Sequence, residues 1–313
     1  MSNIDIIKVS ALTKQFKNLT AVNKLSFSVR QGDVYGFLGQ NGAGKSTTIR
    51  MLLTLIAPTS GDIEMFGMKL KTNRNDILRQ TGAVIEKPDV YKYLSAFDNL
   101  KLFAKLSGIK LTENQLLQQL ETVGLVNRAH DEVKTFSQGM KQRLGIAIAL
   151  VHNPELIVLD EPTNGLDPQG IADIRNLILH LSKEQKKTIV VSSHLLSEIE
   201  QVATKVLIID KGKKIKEGLA TELFDPSQTV IEITTLQNET CWNVLQQSVW
   251  KDRLVFQNKE SVLLKLNKND VPKLNQYLVQ QNIEVLSIQL RNSLEDYFLQ
   301  VTTGNQHVEA FSN

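Results

Sequence analysis

Cysteine is nearly missing from this sequence. Cys241 is the only one in 313 residues, so no internal disulfide can form, which fits a reducing compartment. An excess of one charge is also missing. Lys and Arg number 36 against 33 Asp and Glu, a net charge of +3, and no basic stripe stands out. Composition therefore gives no case for nucleic-acid binding. Long apolar runs are absent as well: Leu144 to Val151 is among the longest, far below the ~20 residues of a membrane span. A role at a membrane has to come through a partner. Met1 to Asp5 shows no charged-then-apolar signal pattern, and the chain carries no internal repeat or low-complexity tract. What it does have is 42 % hydrophobic residues, enough for a sizeable core, and a length that suggests two domains.

The apolar pattern divides the chain. Lys8 to Leu12, Leu25 to Val29 and Asp62 to Phe66 read as short strands. Val34 to Leu38, Leu156 to Leu159, Thr188 to Ser193 and Val206 to Asp210 are near-continuous apolar runs. Strands apolar on both faces belong in the middle of a parallel sheet covered by helices. Lys211-Gly212 predicts a hairpin turn into Lys214-Ile215-Lys216. Asn99 to Ser107, Glu113 to Val123 and Met140 to Val151 have helical spacing, which predicts an inserted helical unit over about 88–155. Composition shifts after Leu219, and Asp225-Pro226-Ser227 suits a linker. The predicted division is therefore 1–220, a linker over 221–227, a small α/β unit over 228–302 and a fraying tail over 303–313. In the α/β unit, Thr229 to Thr234, Ser261 to Leu266 and the alternation at Leu286, Ile288 and Leu290 read as strands. Val271, Leu274 and Leu278 keep one helical face, as do Leu294, Tyr297, Phe298 and Val301. A strand–helix–strand–strand–helix–strand order would make this a ferredoxin-like sandwich.

Chemistry concentrates in a few places. Gly39-Gln40-Asn41-Gly42-Ala43-Gly44-Lys45-Ser46 fits G-x-x-x-x-G-K-[ST] at every fixed position. A buried strand precedes it, and Thr47 to Leu55 reads as a helix after it. Glycines let the backbone fold around a phosphate with its N–H groups inward, and the helix N-terminus adds partial positive charge. Lys45 can reach the β- and γ-phosphates, and Ser46 can ligate Mg²⁺. A Gly-rich turn can match this spacing by accident, but the flanking strand and helix argue against accident. Asp160 ends an apolar run. There it can support Mg²⁺, while Glu161 can orient or deprotonate an attacking water. Ser137 before Gln138-Gly139-Met140 has a bland reading, since Ser is a good helix N-cap.

With Asn164-Gly165-Leu166-Asp167-Pro168 and Ser192-Ser193-His194 added, residues 6–220 resemble an ATP-binding-cassette (ABC) ATPase subunit. The resemblance implies a P-loop cassette with a parallel core sheet, an antiparallel β-subdomain and a helical insert. It implies that Gly39, Asn41, Gly42, Gly44, Lys45, Ser46 and Thr47 bind ATP, and that Ser46 and Asp160 hold Mg²⁺. Glu161 is then the general base, and His194 contacts the γ-phosphate. Ser137 to Met140 resemble the LSGGQ signature, with Phe136 and Gln138 departing from its Leu and second Gly; Ser137, Gly139 and Asp167 then act in trans. Phe16 falls where the family stacks an aromatic on adenine, although a core Phe is the commoner fate. The resemblance also implies a homodimer, or pairing with a related ATPase, closing on ATP, with polytopic membrane permease subunits as partners. The chain would lie on the cytoplasmic, inner face of the cell membrane.

One departure narrows the resemblance. Glu86 stands where the family has a Gln after the strand Thr81 to Ile85, which places an acid beside the γ-phosphate and Mg²⁺. Glu86, the run Asp89 to Leu100 and the extra C-terminal unit resemble the lantibiotic self-immunity and bacitracin-resistance branch of exporters. A neutral exchange in a surface loop is the competing reading of Glu86. Efflux of an antimicrobial peptide or similar amphipathic compound is the function this implies. Alternatives are an exporter with a lipid, polysaccharide or ion as cargo, or an ABC ATPase outside transport. The latter typically carries two cassettes or long coiled-coil inserts, and neither is present here.

Overall fold

The structure is a computed structural model and describes residues 4–223, 230–257 and 261–291. The chain divides into two compact units, one through Ala220 and one from Thr221.

The first unit is built on two sheets. β1 (Asp5–Phe16), β2 (Leu19–Arg30), β4 (Ser60–Met65) and β5 (Met68–Lys69) form an antiparallel sheet in the order β2-β1-β4-β5. The first two strands are longer than their apolar cores predict. They continue through register shifts, one of them spanning Ala11, whose φ is 47°. The core sheet contains β3 (Val34–Leu38), β6 (Thr81–Ile85), β7 (Leu156–Asp160), β8 (Thr188–Ser193), β9 (Lys205–Asp210) and β10 (Lys213–Leu219). Its order is β10-β9-β3-β8-β7-β6, parallel throughout except for the β9–β10 hairpin. Every residue of β3, β7 and β8 is buried, as mostly apolar strands require when helices cover both faces.

The helices of this unit are α1 (Lys45–Leu52), α2 (Arg74–Leu78), α3 (Ala96–Leu106), α4 (Glu113–Thr122), α5 (Gln138–Leu150), α6 (Pro168–Lys183) and α7 (Leu196–Val202), and the short α8 (Ala220–Leu223) starts at the division between the units. α1 starts two residues before the predicted Thr47, because Gly44 at φ 107° caps it. It stops before the predicted Leu55, where Thr54 turns left-handed at φ 58°. α3, α4 and α5 form the insert. Thr112 and Gln115 close a full capping box on α4. β6 approaches α5 closely: a Cβ on Gly82 would lie 2.1 Å from the carbonyl oxygen of Ala149.

The second unit contains β11 (Val230–Thr235), α9 (Asn238–Gln246), β12 (Leu254–Gln257), β13 (Val262–Lys265), α10 (Val271–Gln280) and β14 (Val285–Arg291). Its sheet order is β12-β13-β11-β14, every pair antiparallel. This is the ferredoxin-like arrangement. α9 and β12 supply the helix and strand that the apolar pattern had not located. Ile231, Ile233, Cys241, Leu245, Val262, Leu264, Leu274 and Leu278 are completely buried in a core of the unit's own. The expected linker at Asp225-Pro226-Ser227, the helical face from Leu294 to Val301 and the tail from Thr303 lie outside the described residues.

Candidate nucleotide site

The parallel sheet places the ends of β3, β8 and β7 side by side. Loops leaving the carboxyl ends of such strands are where α/β proteins bind ligands. Gly39 to Gly44 leave β3 there. Only glycine fits at two of these positions. A Cβ on Gly39 would lie 2.5 Å from the Ile209 carbonyl oxygen. Gly44 is left-handed, and a Cβ on it would meet the Ala21 carbonyl oxygen at 2.7 Å. The loop is fixed from outside as well, since Gly212 N–H donates to the Ala43 carbonyl at 2.9 Å. Asn41 and Gly42 are exposed at its tip, while Ser46 and Thr47 are half-buried in the first turn of α1.

Lys45 is buried, 4 % exposed. Its Nζ donates to the carbonyls of Gly39 at 2.5 Å and Gln40 at 3.2 Å. The same Nζ lies 3.0 Å from Oε1 of Glu161, an ion pair not aligned as a hydrogen bond. Oε2 of Glu161 lies 2.8 Å from Nδ1 of His194. A carboxylate only accepts, so Nδ1 carries the proton of that bond. Glu161 therefore sits between the lysine of one loop and the histidine of another. Its backbone is left-handed at φ 49°, a conformation that costs a non-glycine residue energy and recurs at functional sites. Its N–H donates to Ser192 Oγ at 2.8 Å.

Ser192 does more than its sequence position announces. Fully buried, its hydroxyl also donates to Oδ1 of Asp160 at 2.6 Å. Oδ2 of Asp160 is buried without a partner. Buried polar atoms are almost always satisfied, so this oxygen is available to a cation. The signal for Ser192 was a polar residue ending an otherwise apolar strand, but only the β7–β8 pairing shows what it bonds.

Ser137, Gly139 and Asp167 form a second cluster. Ser137 caps α5, accepting from Met140 N–H at 3.2 Å, so the bland capping reading is also satisfied. Asp167 caps α6, accepting from Gly170 N–H at 2.9 Å. A Cβ on Gly139 would lie 3.7 Å from Gly170 Cα, so the starts of α5 and α6 adjoin. Phe16 is exposed at the end of β1, with Lys14 Nζ 4.9 Å from its ring centre. Glu86 follows β6 with a left-handed φ of 58°, and its carboxylate pairs with the guanidinium of Arg50 on α1. Sequence reasoning did not point to Arg50; its position in the second turn of α1 gave no sign of a partner 36 residues away.

Comparison with known proteins agrees with this geometry. A family model described as ABC transporter matches residues 22–164. The bacitracin transport ATP-binding protein BcrA of Bacillus licheniformis is 44 % identical over 300 residues, 96 % of this chain and 98 % of its own. The lantibiotic transport ATP-binding protein SrtF of Streptococcus pyogenes is 42 % identical over 228 residues, 73 % of this chain and 95 % of its own. A solved structure of an ATP binding subunit of an ABC transporter superposes with a TM-score of 0.62 at 29 % identity, covering 70 % of this chain and 91 % of that one. The site geometry, the fold and identity over nearly the whole length all lead to one assignment: the chain belongs to the ABC transporter family, as an ATP-hydrolysing, ATP-binding subunit.

Proposed function

We propose that this subunit uses MgATP hydrolysis to drive efflux of an antimicrobial peptide or similar amphipathic compound through membrane permease subunits. The observation that carries the catalytic half is the convergence of Lys45, Glu161 and His194 from three separate loops. Lys45 binds the β- and γ-phosphates, Glu161 is the general base for the attacking water, and His194 contacts the γ-phosphate. Phe16 offers an exposed ring to adenine. Because the carboxylate of Glu161 is already in contact with Lys45 and His194, a triphosphate arriving at Lys45 competes for the lysine and leaves the acid to its water.

The donor set fits Mg²⁺. Asp160 presents a buried oxygen without a partner, and Ser46 presents a hydroxyl at the start of α1. Mg²⁺ takes few protein ligands and completes its shell from phosphates and water. Bound there, it would neutralise charge on the transferring phosphoryl group. Glu86 as a further ligand requires its carboxylate to leave Arg50.

Two copies, or this chain and a related ATPase, complete the site. Ser137 and Gln138 are exposed at the N-terminus of the 13-residue helix α5, a geometry suited to an anion presented from outside the chain. Ser137, Gly139 and Asp167 then serve the partner's nucleotide. The peptide cargo and the permease partners rest on the similarity to BcrA and SrtF.

Two measurements test the two halves. Purified chain should release phosphate from MgATP, and Lys45→Ala should abolish nucleotide binding; binding that survives in the variant would remove the loop from the phosphate site. Deleting the gene from its host should sensitise cells to bacitracin or to lantibiotics. Unchanged growth inhibition across both classes would overturn the cargo while leaving the ATPase in place.

A further inference from the structure

We propose that Glu198 is a positioning residue that couples the loop carrying His194 to the loop following Glu161, and so sets the distance between histidine and base. The inference rests on the roles proposed for those two residues. Glu198 lies in the first turn of α7, outside every motif read from the sequence. A single oxygen, Oε2, accepts from Ser193 Oγ at 2.7 Å and from Thr163 Oγ1 at 2.7 Å. Ser193 immediately precedes His194, and Thr163 lies two residues beyond Glu161. Ser193 Oγ also accepts from Leu195 N–H at 3.0 Å, so the residues on both sides of His194 are fixed through one hydroxyl.

Hydroxyl-to-carboxylate bonds are shorter and roughly twice as strong as neutral ones. Here they sit beside a small cavity whose wall includes Ile171, Arg175, Ile178, Val191 and Ile199, with Ser193 buried and Thr163 and Glu198 half-buried. The two loops have no covalent link and leave different strands, β7 and β8. Besides the bond from Glu161 N–H to Ser192 Oγ near the end of β8, two side-chain links span them near the chemistry among the described residues. One is the catalytic pair itself, His194 Nδ1 to Glu161 Oε2 at 2.8 Å. The other is the Thr163–Glu198–Ser193 bridge. During turnover the first has to change as Glu161 handles a proton. The second holds no reacting atom and can keep the loops in place while it does.

The test uses the full chain, with steady-state MgATP hydrolysis, ADP affinity and thermal unfolding measured together. Glu198→Ala should lower kcat roughly 10–100-fold, the scale of an ångström's misplacement at a reacting centre. ADP affinity should stay within about twofold, because the Lys45 loop is untouched. Glu198→Gln keeps an acceptor oxygen and should stay within about threefold of wild-type kcat, which separates position from charge. Thr163→Val should lose part of the rate in the wild-type background and nothing further in Glu198→Ala. In a His194→Ala background, Glu198→Ala should cost nothing more. A merely structural role would lower kcat additively with His194→Ala, and that result, or wild-type kcat in both Glu198→Ala and Thr163→Val, overturns the inference. If Glu198→Ala does not fold, Thr163→Val decides alone. His194→Ala with wild-type turnover would instead sink the assignment of the histidine itself. Slow His194→Ala beside normal Glu198→Ala sinks only the bridge.

Discussion

Replacing Glu161 by Gln separates the two contacts its carboxylate makes. Loss of a general base typically slows turnover ~10²–10⁴-fold, which corresponds to ~2.7–5.4 kcal/mol of barrier. The structure adds an effect on the free protein. Lys45 is 4 % exposed and Glu161 15 %, with Nζ and Oε1 3.0 Å apart, so a buried lysine has a partly buried counter-charge beside it. Gln keeps the shape and an oxygen but not the charge. Removing one partner of a fully buried ion pair costs ~3–5 kcal/mol and breaking an exposed one ~0–1; for this partly buried pair the variant should be about 1–2 kcal/mol less stable without nucleotide. For a domain of this size that is roughly 2–8 °C in Tm. A bound triphosphate supplies the missing negative charge. ATP should therefore raise the Tm of the variant further than that of wild type, by about the same interval. The comparison is made with metal chelated, so that wild type does not consume the ligand. With MgATP added, the variant should elute as a dimer on size exclusion while wild type returns to monomer after hydrolysis. Wild-type turnover would refute the base assignment. An ATP-induced shift no larger than in wild type would refute the Lys45–Glu161 argument.

Further predictions concern groups away from the base. Burial pushes the Glu217 carboxyl upward, but hydrogen bonds from Lys214, Lys205 and Tyr35 outweigh it and hold the pKa below its ordinary 4.5. A depressed carboxyl stabilises the fold above its unfolded pKa, and that stability is lost as pH falls through the folded value. Acid titrations followed by circular dichroism should thus show wild type losing stability below about pH 4.5 more steeply than Glu217→Gln; parallel curves would contradict this. Burial also pushes the Cys241 thiol up to about 11, leaving about one thiolate in a thousand at pH 8. Maleimide should label it only as fast as the second unit opens, and labelling at the rate of a free thiol would contradict the buried core. Glu86→Gln should lower Tm by less than ~4 °C, because both partners of the Arg50 pair are over a third exposed and such pairs contribute at most ~1 kcal/mol. It should lower peptide resistance by a larger factor than ATP hydrolysis, and equal resistance in variant and wild-type cells would make the acid a lineage marker only.

The parts of the site legible in the sequence are those a local backbone rule dictates. Gly39 and Gly44 are readable because no other residue fits a loop that crowds backbone oxygens and turns left-handed. β3, β7 and β8 are readable because a strand buried on both faces is apolar along most of its length, as Val34 to Leu38, Leu156 to Leu159 and Ile189 to Val191 are. Helix lengths failed by a turn at α1, where Gly44 and Thr54, rather than the apolar pattern, set the ends. In the second unit, β11 and α10 have strong periodicity and were readable. α9 and β12 do not: Asn238–Gln246 buries only Cys241 and Leu245, and the edge strand Leu254–Gln257 buries none of its four residues.

By itself the sequence determined which residues carry phosphate chemistry, the strand and helix on either side of them, and the family to which the spacing belongs. The loop, its strand and its helix are fixed locally by φ, by apolar period and by a cap, and the family by the order of several such motifs along the chain. Only the tertiary structure decided that Glu161 stands between Lys45 and His194, that Ser192 bonds both Asp160 and the Glu161 backbone, that Glu198 bridges two loops, and that Glu86 pairs with Arg50. All of these depend on the order β3-β8-β7-β6 in the core sheet. A strand that is apolar on both faces carries no mark of which neighbour it takes, so that order is settled by the packing of the whole unit.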